Sequence, residues 1–313
     1  MRIGKNLQAL AGAAMVATLA LAGCSSGTSP APGTSGTPGG SAGALTVVAS
    51  TNVWGDVAGQ VGGDRIAVTS IIDRPDADPH EYQASSRNQL ALSQAQVVIE
   101  NGGGYDDFVD TMLSSADNAD ATVINAVDVS GRTAGAGEEL NEHVWYDYPT
   151  VEKVAGSIRD ALSAKDPDGA STYAANTETF LAGVRQLTSR TDDLKSTYAG
   201  EGAAVTEPVP GYLLEATGLE NKTPDEFSEA IEEDSDVPPK VLQETLDLFS
   251  NHDVVVLLHN DQVTGPQTDQ VKQAAEDANI PVVGVQETLP SGKDYLTWQN
   301  DILDALEKAL AQK

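Results

Sequence analysis

From Leu45 onward, short apolar runs alternate with longer stretches of helical spacing. Leu45-Thr46-Val47-Val48-Ala49, Ile66 to Ile72, Gln96 to Ile99 and Thr122 to Asn125 predict strands, and helical patterns such as Asn52 to Val61 and Ser86 to Ser93 lie between them. The second half repeats this, with strands near Ala203 to Thr206, Asp253 to Leu258 and Pro281 to Val285 and a last helix over about Asp294 to Ala311. Strands alternating with helices predict an α/β fold with parallel sheets and helices on both faces. Between the halves, Tyr173, Phe180, Leu181, Val184, Leu187 and Leu194 recur at helical spacing over Ser171 to Tyr198, where Gly183 is the one break. That stretch exceeds an ordinary globular helix and predicts a rigid bridge. Before it, Asp147 can cap a helix over Pro149 to Ala164, with proline at the first position where its missing N–H is harmless.

The first residues follow a different pattern. Arg2 and Lys5 precede an apolar segment from Leu7 to Ala20, and Leu21-Ala22-Gly23-Cys24 closes it with small residues. The segment is too short to span a membrane, which takes about 20 apolar residues, and it ends in a processing site. Residues 1–23 are therefore expected to be a lipoprotein signal, with Cys24, the sole cysteine, as the acylated first residue of the mature chain. Residues 25–44, SSGTSPAPGTSGTPGGSAGA, carry no charge and no large apolar side chain. Such a segment cannot offset its chain entropy by burial and reads as a disordered tether. The expected organisation is signal 1–23, lipidated cysteine and tether 24–44, N-terminal lobe 45–167, linking helix 168–198 and C-terminal lobe 199–313.

Charge narrows the partners. Removing Arg2 and Lys5 from the 18 basic residues leaves 16 against 47 acidic ones, a mature charge of −31. Phosphate backbones need the opposite sign, so nucleic acid is excluded as an expected partner. The acidity alone does not define a cation site, since it also serves solubility. The acidic run Glu229 to Asp236 (EAIEEDSD) reads as a solvated face or loop.

Four histidines occur in the chain, and two have polar, turn-like surroundings: His80 in Asp78-Pro79-His80-Glu81-Tyr82 and His143 in Asn141-Glu142-His143-Val144-Trp145-Tyr146-Asp147. Neutral imidazole is the commonest side-chain metal ligand. Open α/β sheets bind ligands beyond the carboxyl ends of their strands. His80, His143, Glu207 and Glu287 all stand at such places, two per half, so one cation could join the halves. Each acid alone is one of 47, and its place at a strand end is what singles it out. His259, at the end of the Asp253 to Leu258 run, is the reserve ligand; Asn52 and Asp147 are candidate supporting residues. His252, before that run, is expected to be exposed, and Trp54, Trp145 and Trp298 to serve packing.

These segments resemble the zinc/manganese ABC-transporter solute-binding lipoproteins, the TroA-like or cluster A-I group, from about Leu45 to the C-terminus. Asp78-Pro79-His80-Glu81-Tyr82 resembles the D-P-H-x-Y ligand loop of the group. Asn141 to Asp147 resembles its x-P-H-x-W-x-D segment, with Glu142 in place of the usual proline. Thr206-Glu207 before Gly211-Tyr212-Leu213 and Thr217-Gly218-Leu219 resembles the third-ligand segment. Val285-Gln286-Glu287-Thr288-Leu289-Pro290, with Tyr295 and Trp298, resembles the fourth. The His-rich loop of many zinc members has no counterpart in Gly131 to Leu140.

The resemblance implies two Rossmann-like lobes joined by one long rigid helix, with His80, His143, Glu207 and Glu287 around one Mn2+ or Zn2+ in the cleft. It also implies a non-enzymatic, monomeric receptor on the extracytoplasmic face of a bacterial membrane, anchored through Cys24 and serving an ABC permease with its ATPase. Glutamate at 207 and the absence of thiolate favour manganese over zinc, although the general affinity series places zinc higher, so both are expected to bind. An exported metallohydrolase is the enzymatic alternative. His80-Glu81 begins like H-E-x-x-H, but position five is Ala84, and four protein ligands leave no open coordination site. An adhesin-like surface lipoprotein stays open on the residues alone.

Overall fold

The computed structural model describes residues 43–74, 82, 85–135 and 140–312. The expected signal, Cys24, nearly all of the tether, and His80 lie outside the described residues. The first half contains strands β1 (Leu45–Thr51), β2 (Ile66–Ile72), β3 (Val97–Glu100) and β4 (Thr122–Asn125). Around them lie helices α1 (Asn52–Gly62), α2 (Ser86–Ser93), α3 (Phe108–Ala116), α4 (Ala126–Ser130) and α5 (Tyr148–Lys165). Helix α6 (Ala170–Tyr198) leads to β5 (Gly202–Val205), α7 (Gly211–Thr217), β6 (Glu220–Asn221), α8 (Asp225–Glu232) and α9 (Pro239–Ser250). Strand β7 (Val256–Asn260), α10 (Pro266–Asp277), β8 (Val282–Val285) and α11 (Tyr295–Leu310) complete the chain.

Each half forms a parallel four-stranded sheet, in the orders β2-β1-β3-β4 and β6-β5-β7-β8. The two orders are the same, and in each the chain reverses direction across the sheet beside its first strand. That reversal opens a crevice at the carboxyl edge, between β1 and β3 and between β5 and β7. Strands β3, β5 and β7 are buried at every position, which is why they read as continuous apolar runs rather than as alternation.

Helix α6 is 29 residues long and buries Tyr173, Thr177, Phe180, Val184, Leu187, Thr191 and Leu194. The spacing alternates between four and three, a seven-residue repeat that keeps one stripe facing inward. The stripe packs on α1 and α5 of the first half and on α7 and α11 of the second. Leu181 falls one position off it and is half-buried. A Cβ at Gly183 would meet Leu296 Cδ1 at 2.4 Å, so glycine lets α11 approach closely. Trp54, Trp145 and Trp298 are buried in the main core, as expected for packing residues. No helix among the described residues is long and apolar enough to cross a membrane.

Candidate metal site

His143 precedes a single 3-10 turn, Val144–Tyr146, and is completely buried. Tyr105 and Trp145 wall it edge-on, with ring centroids 6.0 and 5.1 Å away. Its protonation is dictated by Asn141. The Asn141 amide nitrogen donates to the Pro208 carbonyl at 2.8 Å, which leaves Oδ1 as the acceptor on the other side. That oxygen lies 2.9 Å from both the His143 backbone nitrogen and Nδ1. Nδ1 must therefore carry the hydrogen, which in a neutral ring leaves the lone pair on Nε2. This is how a supporting residue sets the tautomer of a metal-binding imidazole. Asn141 thus ties the His143 turn to the residue after Glu207, in the other half. A Cβ at Gly211 would come within 2.6 Å of the Asn141 amide nitrogen, so glycine leaves room for the tie.

Glu207 lies two residues beyond β5, and Glu287 two residues beyond β8; both are 3% exposed. Asn260, the last residue of β7, holds them together. Its amide nitrogen donates to Glu207 Oε2 and, at 2.9 Å, to Glu287 Oε1. Neutral donors to two carboxylates keep their charge in place without a competing cation. The expected strand end two residues earlier had put His259 at the edge. Strand β7 in fact runs through His259 to Asn260. Successive strand residues face opposite sides, so Asn260 takes the place between the carboxylates. The His259 ring lies against Asp261, with Nδ1 3.3 Å from Oδ1. His252 is exposed, as expected.

Asn52 braces the loop that carries Glu287 with two hydrogen bonds across the halves. Its amide donates to the Leu289 carbonyl at 2.9 Å, and its Oδ1 accepts from the Leu289 N–H at 2.8 Å. The Tyr146 hydroxyl donates to the Gln286 carbonyl at 2.8 Å, and that of Tyr295 to the Trp145 carbonyl at 2.7 Å. In the first half, Asn101, just after β3, donates to the Glu142 carbonyl at 2.9 Å and accepts from Trp54 Nε1 at 3.1 Å. Asp147 sits at the start of α5, but its carboxylate makes no cap to the helix N–H groups. It goes instead to Arg132, at 2.7 Å, because a buried carboxylate gains more from a guanidinium than from an amide. Arg132 continues to Glu215 of α7 at 3.0 Å, another link between the halves.

The acidic run supplies an unexpected member. Its first four residues close helix α8, and Glu232 turns into the site rather than into solvent. Phe227 and Ala230 bury the inner face of α8, which aims Glu232 inward. Glu232 Oε1 stands 3.5 Å from His143 Nε2, and Glu142, His143 and Glu232 hold donor atoms within 4.8 Å of one another. Burial first, and then the charges of Glu142, Glu207, Glu287 and Glu229, push the Glu232 carboxyl up to about 9. The signal for this residue was the Phe227, Ala230, Ile231 spacing, which marks a half-buried helix inside an acidic segment.

A cleft of about 1310 Å³ opens over these groups, with Asn141, Glu142, Glu207, Glu232 and Glu287 in its wall. Two parallel α/β halves facing across such a cleft, with carboxylates from both in its wall, have the architecture of a two-lobed binding protein. Residues 47–309 match the family described as ZnuA, zinc-uptake complex component A, periplasmic, and the chain belongs to that family. The manganese-binding lipoprotein MntA of Halalkalibacterium halodurans is 29% identical over 178 residues, covering 56% of this chain and 59% of that protein. The chain thus matches less than two thirds of that relative's length. The iron ABC transporter substrate-binding lipoprotein MtsA of Streptococcus pyogenes serotype M1 is 27% identical over 263 residues, 77% of this chain and 81% of that one. Among solved structures, the Mn-bound periplasmic metal binding protein from Candidatus Liberibacter asiaticus shares the fold, with a TM-score of 0.68 and 18% identity over 85% of this chain and 99% of that one.

Proposed function

We propose that this protein captures one divalent transition-metal ion in the interlobe cleft and hands it to an ABC permease, without turning anything over. One observation carries the reading. The described wall of the cleft holds eight carboxylate residues, of which Glu207 and Glu287 are buried, Glu142 and Glu232 half-buried and four exposed, and no lysine or arginine. Buried like charges are costly unless a counter-charge joins them, and a divalent cation is the species that removes the cost. Imidazole beside carboxylates lies between the all-oxygen shells of calcium and magnesium and the thiolate sites of zinc and copper. His143, Glu207 and Glu287 are the proposed ligands within the described residues, and His80 is the fourth.

Manganese is the favoured cargo and zinc a competent one. The names of the manganese and iron relatives support a cargo from this group of ions. Cys24 is the proposed lipid attachment, which places the lobes on the extracytoplasmic face beside the permease; the lipoprotein names of the relatives support it.

Titration of chelator-stripped mature protein with Mn2+ and Zn2+ tests the proposal. One ion per chain is expected, and free metal at a hundredfold excess over Kd should stabilise the fold by about 2.7 kcal/mol. His80→Ala and His143→Ala should each lower affinity by orders of magnitude. Wild-type binding by both variants would refute the ligand set.

A further inference from the structure

We infer that Asn260 is the residue that keeps calcium out of the capture site, by claiming one oxygen of each of the two buried carboxylates, Glu207 and Glu287. The inference rests on the metal-capture reading above. Its basis is geometric. Strand β7 lies between β5 and β8, so its last residue falls between the loops that carry the two acids. Asn260 is buried there, and its backbone nitrogen donates to Thr206 Oγ1 at 2.9 Å. Its Oδ1 accepts from the Gln262 N–H at 3.1 Å, which fixes the orientation of the amide and turns both hydrogens of Nδ2 toward the acids. Nδ2 donates to Glu207 Oε2 and, at 2.9 Å, to Glu287 Oε1. Gln262 holds the backbone behind Glu287 as well. Its Oε1 accepts from the Thr288 N–H at 3.2 Å, and its Nε2 donates to Thr288 Oγ1 at 2.8 Å. The amide cannot turn, nor the Glu287 loop drift, without breaking these bonds.

An amide hydrogen aimed at a carboxylate oxygen is a positive pole beside any cation that uses the same oxygen. Like poles on one oxygen repel, so an ion in the cleft is bound best through the other oxygen, one per carboxylate. For the ion to take both oxygens of either acid, Asn260 has to give up a hydrogen bond to a charged group, which is the stronger kind.

The number of oxygens offered then decides between ions. Calcium takes about six to eight oxygens, and carboxylates that grip with both of theirs are a common way to reach that number. The two acids offer four oxygens when each chelates, and two when Asn260 holds the others. Imidazole does not make up the difference, because it suits transition metals rather than calcium. Zinc is satisfied by about four donors and takes one oxygen per acid without penalty. Asn260 is accordingly a positioning residue that sets specificity. The acidity of the cleft attracts every divalent cation, and the amide turns away the one that needs the largest oxygen shell.

The test compares wild type with two variants. Asn260→Leu is close in size, adds no charge and removes the donors; Asn260→Ala removes them without filling the space. Dissociation constants for Ca2+ and Zn2+ would be measured on chelator-stripped mature protein, with thermal unfolding in excess chelator showing that each variant is folded. Wild type is expected to bind Ca2+ with a Kd of about 1 mM or weaker, no better than the loosest calcium modules. Either folded variant should bind Ca2+ about tenfold or more tightly than wild type does, while Zn2+ binding stays the same or weakens. Damage to the fold cannot produce a gain for one ion, since a distorted site weakens both. Unchanged or weaker Ca2+ binding in the variants, or a Zn2+ gain as large as the Ca2+ gain, overturns the inference. So does a wild-type Kd for Ca2+ well below the millimolar level, a result that needs no variant. Wild type that binds neither Zn2+ nor Mn2+ removes the capture reading itself, whereas one zinc per wild-type chain with no calcium gain in the variants sinks this inference alone.

Discussion

Replacing Asn141 separates two roles that one side chain combines. Asn141→Ala removes three hydrogen bonds, two from His143 and one to Pro208, at 2.9, 2.9 and 2.8 Å. At about 1 kcal/mol net for each, the metal-free fold should lose about 3 kcal/mol. For a chain of this size that lowers Tm by about 6–12 °C. Metal affinity should fall about 10- to 100-fold, the usual effect of deleting a group that orients a ligating histidine. Asn141→Asp divides the effects. A carboxylate still accepts from the His143 backbone and from Nδ1, but it cannot donate to the Pro208 carbonyl. Stability should drop by about 1–3 kcal/mol, because a carbonyl loses its donor. Affinity should stay near wild type, since the tautomer is retained and a carboxylate partner raises imidazole basicity. Chelator competition gives the affinity, and thermal unfolding in excess chelator gives the stability. If Asn141→Asp loses as much affinity as Asn141→Ala, tautomer control is not what Asn141 does.

Gly211→Ala places a methyl 2.6 Å from the Asn141 amide. It should cost about 1–3 kcal/mol by overpacking and weaken metal binding in the same direction as Asn141→Ala; an unperturbed melting curve would count against the close approach. Burial raises the Glu100 carboxyl to about 7, so the folded state holds a proton that the unfolded chain releases near 4.5. The stability present below that lower value is lost as pH rises through about 7. Glu100→Gln should therefore stabilise relative to wild type at pH 8 but not at pH 4.5, read as a Tm difference that grows over this window. Cys24→Ala should release the protein from membranes into the aqueous phase of a detergent partition; persistent membrane association would end the lipid-anchor proposal.

Much of the frame was legible because its physics is local. The parallel strands β1, β3, β4, β5 and β8 announce themselves as short runs rich in apolar residues, and α6 by a stripe that needs no knowledge of its partners. Strand β6 was not legible: its two residues, Glu220 and Asn221, are both exposed and carry no pattern. Helices α9 and α10 pack on each other, yet their surfaces are mostly polar, so the apolar signal is weak. The site divides similarly. His143, Glu207 and Glu287 follow from residue type at strand or loop ends. Asn260 was missed because His259 was taken as the edge residue, and the one-residue step from His259 to Asn260 exchanges one face of the strand for the other. Glu232 was missed because the Phe227, Ala230, Ile231 spacing marks a half-buried helix without saying which acid of the run turns toward His143. Asn52 was recognised as a supporter, while its partner, the Leu289 backbone, is 237 positions away and has no sequence signature.

The neutral ties across the cleft, from Asn52, Asn141, Tyr146 and Tyr295, have a consequence in time rather than in structure. Under the proposed capture function, a socket assembled before its ion arrives loses little freedom on filling, so capture is quick, helped by the attraction of 47 acidic against 18 basic residues for cations. The same ties oppose the easy way out, since a wide swing of the halves, which would loosen the donors together, has to break them. Residence time becomes the controlling quantity, as it generally does when affinity is tuned. If the proposed function holds, such a holder empties slowly when left alone, and unloading it at a useful pace calls for the energy-spending permease partner proposed above.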